Sequence, residues 1–184
     1  MASSTIVNIE ISRAGPKHAS LLATFGRQAF VAAFEGQIEH HDLIAFADKR
    51  YGTDQQQREL CDPNTVIFMA QVDGELAGYA KLQEGDAPIV VNNSRAIELE
   101  RLYLTSAWFG TGVALSLLEA CVGEAHRLSH DMMWLDVWDE NTRAQAFYRK
   151  HGFVVAGDRP YDVGTITQRH LLMRCALSAK QVLL

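Results

Sequence analysis

Long apolar runs are missing from this sequence. No segment approaches the roughly 20 consecutive apolar residues that cross a bilayer, and the opening stretch MASSTIVNIE has no basic region followed by an apolar core. The expectation is a soluble, cytoplasmic chain with no membrane partner. Basic charge is also scarce, with 17 Lys and Arg against 22 Asp and Glu for a net charge of -5. A nucleic-acid-binding face would show as clustered Lys and Arg, so none is expected, and a cationic substrate suits the balance better. Cysteine is limited to Cys61, Cys121 and Cys175, an odd number at wide spacing without a CxxC pair, which argues against a zinc or redox motif. The pair His40-His41 has no recognisable third ligand, so no metal is expected.

What is present is ordinary globular material: 48% hydrophobic and 21% charged residues over 184 positions, enough for one core and one domain spanning 1–184. Ile6 to Ser12 alternates as a strand. Pro16 opens a helix with the stripe Ala19, Leu22, Ala23, Phe25, Ala29 and Phe30. Two shorter helices follow over His40 to Tyr51 and Asp54 to Cys61, the second with Thr53 as its cap. Thr65 to Val72 and Glu75 to Glu84 form a hairpin about Asp73-Gly74, a dipeptide suited to a turn that needs positive φ twice. Strands are then expected at Ala96 to Thr105, Met132 to Trp138, Phe153 to Ala156 and Ile166 to Leu177, with helices at Thr111 to Leu128 and Asn141 to Lys150. Alternating strands and helices without a linker predict a single α/β domain with a mixed sheet.

Three features carry chemistry. The strand Ala96 to Thr105 slips phase: Ile97 and Leu99 set one face, but Leu102 and Leu104 resume one residue out of step. A bulge near Glu100 and Arg101 would explain this and leave backbone groups needing a partner, while a strand buried on both faces explains it equally. The second feature is Trp108-Phe109-Gly110-Thr111-Gly112-Val113-Ala114, a glycine turn leading into a helix whose stripe is Val113, Leu117, Cys121 and Ala125. Such a turn accommodates a phosphate at a helix N-terminus, although a plain tight turn has the same look; the P-loop and dinucleotide fingerprints are both absent. The third is Leu135-Asp136-Val137-Trp138-Asp139-Glu140-Asn141 followed by Phe147-Tyr148 and His151-Gly152-Phe153. Asn141 fits an N-cap and Gly152 a C-terminal stop, whereas Tyr148 fits either packing or a hydroxyl aimed at the sheet. Cys121, on the apolar stripe, reads as core.

Together these segments resemble the GNAT superfamily of N-acetyltransferases, and within it the bacterial spermidine/spermine acetyltransferases. The likeness is carried by Ile97 to Leu104, Gly110 to Ala114 and Leu135 to Phe153 in that order, with Asp73-Gly74-Glu75 and Ala77 to Leu82 adding to it. The resemblance implies a mostly antiparallel sheet of about seven strands with a bulged fourth, and acetyl-CoA as cosubstrate. Leu102, Tyr103 and Leu104 would meet the pantetheine arm, and Phe109, Gly110, Thr111, Gly112, Val113 and Ala114 the pyrophosphate. Asn141, Phe147 and Tyr148 would lie along the cofactor. Phe109 departs from the pattern, since Gln or Arg is usual there and its polar contact is lost. A homodimer is a frequent arrangement in the family.

The same resemblance puts Glu100 in the position of the base that takes a proton from the acceptor amine, with Glu98 as the second candidate; an ordinary ion pair to Arg101 or another cation would explain Glu100 as well. Tyr148 would give a proton to the departing thiolate. The acceptor side, around Phe30 to Tyr51 and a late loop from Asp158 to Gly164, contains Phe34, Glu35, Glu39, Asp42, Asp158 and Asp162, with Glu98 and Asp136 near; these acids suit a polyamine and equally suit solvated surface charges. Another small amine, a protein N-terminus or lysine, and a non-catalytic acetyl-CoA-binding module are the other readings.

Overall fold

The structure is a computed structural model that describes residues 8–164 and 166–177. Seven strands make one sheet in the order β1-β2-β3-β4-β5-β7-β6. They are β1 (Ile9–Arg13), β2 (Thr65–Val72), β3 (Glu75–Gln83), β4 (Ala96–Leu104), β5 (Met132–Trp138), β6 (Val154–Val163) and β7 (Ile166–Ala176). All neighbours are antiparallel except β4 and β5, which are parallel. Helices α1 (Ala19–Phe34), α2 (His40–Tyr51) and α3 (Thr53–Cys61) cover one face, and α4 (Val113–Arg127) with α5 (Thr142–Lys150) cover the other. No helix among the described residues is long and apolar enough to cross a membrane.

The larger core lies under α4, where Val113, Leu117, Cys121 and Ala125 are fully buried against Ala80, Leu82, Ile97, Leu99 and Met133. The expected stripe is the buried face, and Cys121 is a core residue whose thiol pKa is pushed far up by burial. The β2–β3 hairpin turns at Asp73 and Gly74 with φ of 51° and 82°, as the dipeptide predicts.

Some boundaries differ. The first strand begins at Ile9 among the described residues, and Ile6 and Val7 lie outside them. Thr53 is the first helical residue of α3, not its cap; Gly52 holds that place with no side-chain bond. Helix α4 starts at Val113 because Gly112 is left-handed at φ 98°. The largest departure is Asp158 to Gly164: β6 runs on to Val163, so most of the expected loop is strand. Gly157 and Pro160 read as turn residues, but β6 is an edge strand, where proline removes no ladder bond.

Gly78 of β3 faces β4 at close quarters. A Cβ there would lie 2.6 Å from the Tyr103 carbonyl oxygen. Gly78→Ala is expected to destabilise the protein by about 1–3 kcal/mol through overpacking, read as a lower urea midpoint with unchanged slope.

Candidate active site

The phase slip in β4 is a bulge. Lys81 pairs with Arg101 and Leu82 with Leu99, so Glu100 is the extra residue. Ile97, Leu99, Leu102 and Leu104 therefore all face the α4 side, while Glu98, Glu100, Arg101 and Tyr103 turn toward the side of α1 to α3. The parallel pairing with β5 ends at Glu98 opposite Trp134. Beyond that point β4 continues to Leu104 and β5 to Trp138, and their facing edges have no strand partner among the described residues. The sheet is split there, and a split between strands exposes unpaired backbone N–H and C=O groups to whatever enters it.

The glycine turn lies at the outer end of this split. Gly110 and Gly112 both have positive φ, 77° and 98°. The backbone N–H groups of residues 110–115 have no acceptor among the described residues, and Thr111 is tied back by its hydroxyl to the Trp108 carbonyl at 2.8 Å. Unpaired donors at the positive end of α4 form a cradle for an anion. Phe109 is partly exposed and apolar, but the Arg143 guanidinium from the first turn of α5 sits 3.6 Å from its ring centroid. A cation thus stands over the turn although position 109 carries none.

On the far wall, Asn141 caps α5 by accepting from the Ala144 N–H at 3.1 Å, which leaves its amide NH2 unpartnered among the described residues. Gln145 donates to the carbonyls of Trp138 and Asp139, at 3.2 and 2.7 Å, and ties α5 to the end of β5. Gly152 ends the helix at φ 88°. These constraints set Tyr148, which is buried against Phe147 and Phe153. Its hydroxyl has no hydrogen-bond partner among the described residues, and burial holds its pKa above the usual phenol range, with Tyr103, Cys121 and Asp136 adding to the effect.

Beneath the bulge lies an ion cluster. Glu59 receives Arg101 at 2.7 and 2.8 Å and Lys81 at 3.5 Å. Glu100 takes Lys81 at 2.6 Å, Arg50 at 2.7 Å and Arg101 at 3.2 Å. Burial alone would raise the Glu100 pKa, but these three cations outweigh it and hold the carboxyl below its ordinary value. Glu98 has no such support. No hydrogen bond or ion pair reaches its carboxylate among the described residues; burial, then the charges of Glu100 and Asp136, push its pKa to about 7. Asp136 is committed to Arg159 and to His170, whose Nδ1 lies 3.0 Å away, and these contacts overcome burial to lower its pKa.

The remaining sequence-predicted residues are placed as follows. Phe34 packs on Phe30 and Trp138 at centroid separations of 4.7 and 5.7 Å, on the Glu98 side of the sheet. Glu35 is exposed at the end of α1. Leu102 and Leu104 pack toward the α4 core, and the Tyr103 hydroxyl is 2.8 Å from that of Tyr51, so its side chain points away from the split. Asp158 is exposed and pairs with Arg169 at 2.8 Å, and Asp162 accepts from Thr167. Arg50, Lys81, Glu59, Arg159 and His170 were not among the expected site residues. The signal for Lys81 and Arg101 was a charge in the buried phase of an apolar strand; Arg50 and Arg159 gave none.

A model of the acetyltransferase (GNAT) family matches residues 27–153. The chain belongs to that family. It is an acetyl-CoA-dependent N-acetyltransferase by that membership. An uncharacterised N-acetyltransferase of Mycobacterium tuberculosis (strain ATCC 25618 / H37Rv) is 31% identical over 152 residues, 83% of this chain and 93% of its own. A second, from Lactobacillus delbrueckii subsp. lactis, is 26% identical over 172 residues, covering 94% and 99%. The crystal structure of the PaiA N-acetyltransferase from Thermoplasma acidophilum in complex with coenzyme A superposes with a TM-score of 0.75 at 18% identity, covering 92% of this chain and 99% of that one. At that identity the likeness is one of fold. Among the described residues no group of three or more His, Cys, Asp or Glu could hold a metal.

Proposed function

We propose that this GNAT enzyme transfers the acetyl group of acetyl-CoA directly to a primary amine, with Glu98 as base and Tyr148 as acid. The observation that carries this reading is the split that opens between β4 and β5 beyond Glu98, supported by the unpaired N–H groups at the start of α4 and by a Tyr148 hydroxyl and a Glu98 carboxylate without hydrogen-bond partners among the described residues. Coenzyme A in the Thermoplasma relative supports the cosubstrate.

The N–H groups of 110–115 would hold the pyrophosphate, with Arg143 adding the positive charge that Phe109 does not carry. The exposed edges of β4 at Leu102 to Leu104 and of β5 would hold the pantetheine amides, with Asn141 and Phe147 beside them. Acetyl-CoA supplies an acyl carbon activated as a thioester. An alkyl amine with a pKa of ~10 arrives protonated, and a site group must take that proton before the nitrogen can attack. Glu98 is suited to this because its carboxylate is unpaired and half ionised near pH 7. Glu100, the residue expected from the resemblance, is held ionised by three cations and is a poor proton acceptor. As the new C–N bond forms and the C–S bond breaks, Tyr148, kept protonated by burial, gives its proton to sulfur.

A polyamine acceptor finds little support in the charges. Glu35 and Glu39 are exposed, Asp158 is paired, and Asp136 is ion-paired to Arg159 and in hydrogen-bond contact with His170. Incubation with acetyl-CoA and a panel of primary amines, spermidine and spermine included, is expected to give amine-dependent thiol release and acceptors heavier by one acetyl group. Acetyl-CoA that raises the melting temperature with no release on any amine would make the chain a binding module.

A further inference from the structure

The sheet face that carries Glu98 also carries Glu100, Arg101, Asp136 and His170, with Arg50 of α2 and Arg159 of β6 paired to them. Its charges are nearly all spent on one another. Asp136 is held by Arg159 and His170, and Arg101 forks onto Glu59 with both buried. Arg159 keeps Nη1 free among the described residues while its other two nitrogens are spent on Asp136, and two further groups are left over. One is the Glu98 carboxylate, which has no partner among the described residues. The other is Arg50, from the last turn of α2.

Arg50 donates only Nη2, to Glu100 at 2.7 Å; its Nε and Nη1 find no acceptor among the described residues. Its side chain is 36% exposed, against 5% for Lys81 and 1% for Arg101. The cluster it belongs to is also unbalanced. Among the described residues Arg50, Lys81 and Arg101 form ion pairs with Glu59 and Glu100 alone, three positive charges against two negative, and the next carboxylate, Glu98, is in electrostatic reach of Lys81 without pairing to it. A surplus charge at the edge of a desolvated cluster is costly unless an anion meets it, and a guanidinium with a free edge is the group best shaped to take a carboxylate or phosphate. Arg50 stands on the same side of the sheet as Glu98, because it is ion-paired to Glu100, which turns to that side with Glu98.

We propose that the acceptor is an amine that also bears an acidic group, its ammonium received by the free carboxylate of Glu98 and its acid by the free edge of Arg50. This rests on the acetyltransferase reading above and specifies its second substrate. The spacing limits size. Arg50 is anchored on Glu100, the bulged residue two along from Glu98, and two residues of chain span at most about 7 Å. A small molecule with a few bonds between amine and acid spans that distance. A polyamine offers Arg50 only a second cation. Arg50 acts here in acceptor specificity, not in proton transfer.

The test is a set of matched acceptors with acetyl-CoA: tyrosine against tyramine, β-alanine against propylamine, 2-aminoethylphosphonate against β-alanine, and spermidine. The acid-bearing member of each acid/no-acid pair is expected to have a kcat/KM at least tenfold higher, through KM, and the phosphonate arm shows which acid is preferred. In Arg50→Met that ratio is expected to collapse toward one. A ratio near one in the unaltered enzyme, or a preference for tyramine, propylamine or spermidine, overturns the inference and leaves acetyl transfer standing. No thiol release with any acceptor overturns both.

Discussion

Tyr148→Phe is expected to slow turnover by ~10²–10⁴, the usual scale for removing a general acid, with almost no change in melting temperature. The two halves of that expectation come from the same observation. The ring is packed in the core with Phe147 and Phe153, and phenylalanine keeps that packing. The hydroxyl has no partner among the described residues, so deleting it breaks no protein hydrogen bond and leaves no group orphaned. Its raised pKa keeps the proton in place across the working range, which an acid needs and a nucleophile does not. Steady-state kinetics and a thermal melt on the same preparation check this. Unchanged turnover would return Tyr148 to a packing role.

Glu98→Gln carries the second large effect, a loss of ~10²–10⁴ in kcat/KM near neutral pH, accompanied by a gain in stability. The sign of the stability change follows from linkage. A carboxyl whose pKa is raised to about 7 by folding binds a proton more tightly in the native state than in the unfolded one. Its cost to stability is absent below the ordinary carboxylate pKa, builds between that value and about 7 while the unfolded state ionises and the native one stays protonated, and is constant above 7, where the native state holds an unpaired buried charge. Glutamine removes that charge, so the variant should melt higher than the parent above pH 7 and much like it at pH 4. Glu100→Gln should do the reverse, since it strips a counter-charge from Arg50, Lys81 and Arg101 and lowers stability at neutral pH. An activity loss in Glu100→Gln at unchanged stability, with Glu98→Gln near normal, would restore Glu100 as the base.

Much of the fold could be read from local pattern. The β2–β3 hairpin, the α4 stripe, the Asn141 cap and the Gly152 stop are each decided by neighbours within a few residues, and each is present. The phase slip in β4 was legible as either a bulge or a strand buried on both faces, and the pairing with β3 makes it a bulge with Glu100 as the extra residue. Strand β6 was not legible past Ala156, because its tolerance of Gly157 and Pro160 depends on its lying at the edge of the sheet, which is a tertiary fact. The same limit explains the carboxylates. Glu98 and Glu100 look interchangeable in Ile97-Glu98-Leu99-Glu100, and only Lys81, Arg50 and Arg101 converging on one of them tells them apart. Arg143 over Phe109 is likewise a pairing across 34 residues that no local pattern announces.

The pH dependence of kcat/KM for the parent enzyme and Glu98→Gln, measured on one good acceptor from pH 5 to 10, tests the central claim that Glu98 takes the amine proton. The parent is expected to rise through about pH 7 and then hold a plateau, because the ionised carboxylate works on the protonated amine that dominates until ~10. Without the base only free amine reacts, so the variant is expected to climb tenfold per pH unit toward the amine's own pKa with no plateau. A plateau of the same shape in Glu98→Gln, or none in the parent, would contradict the account.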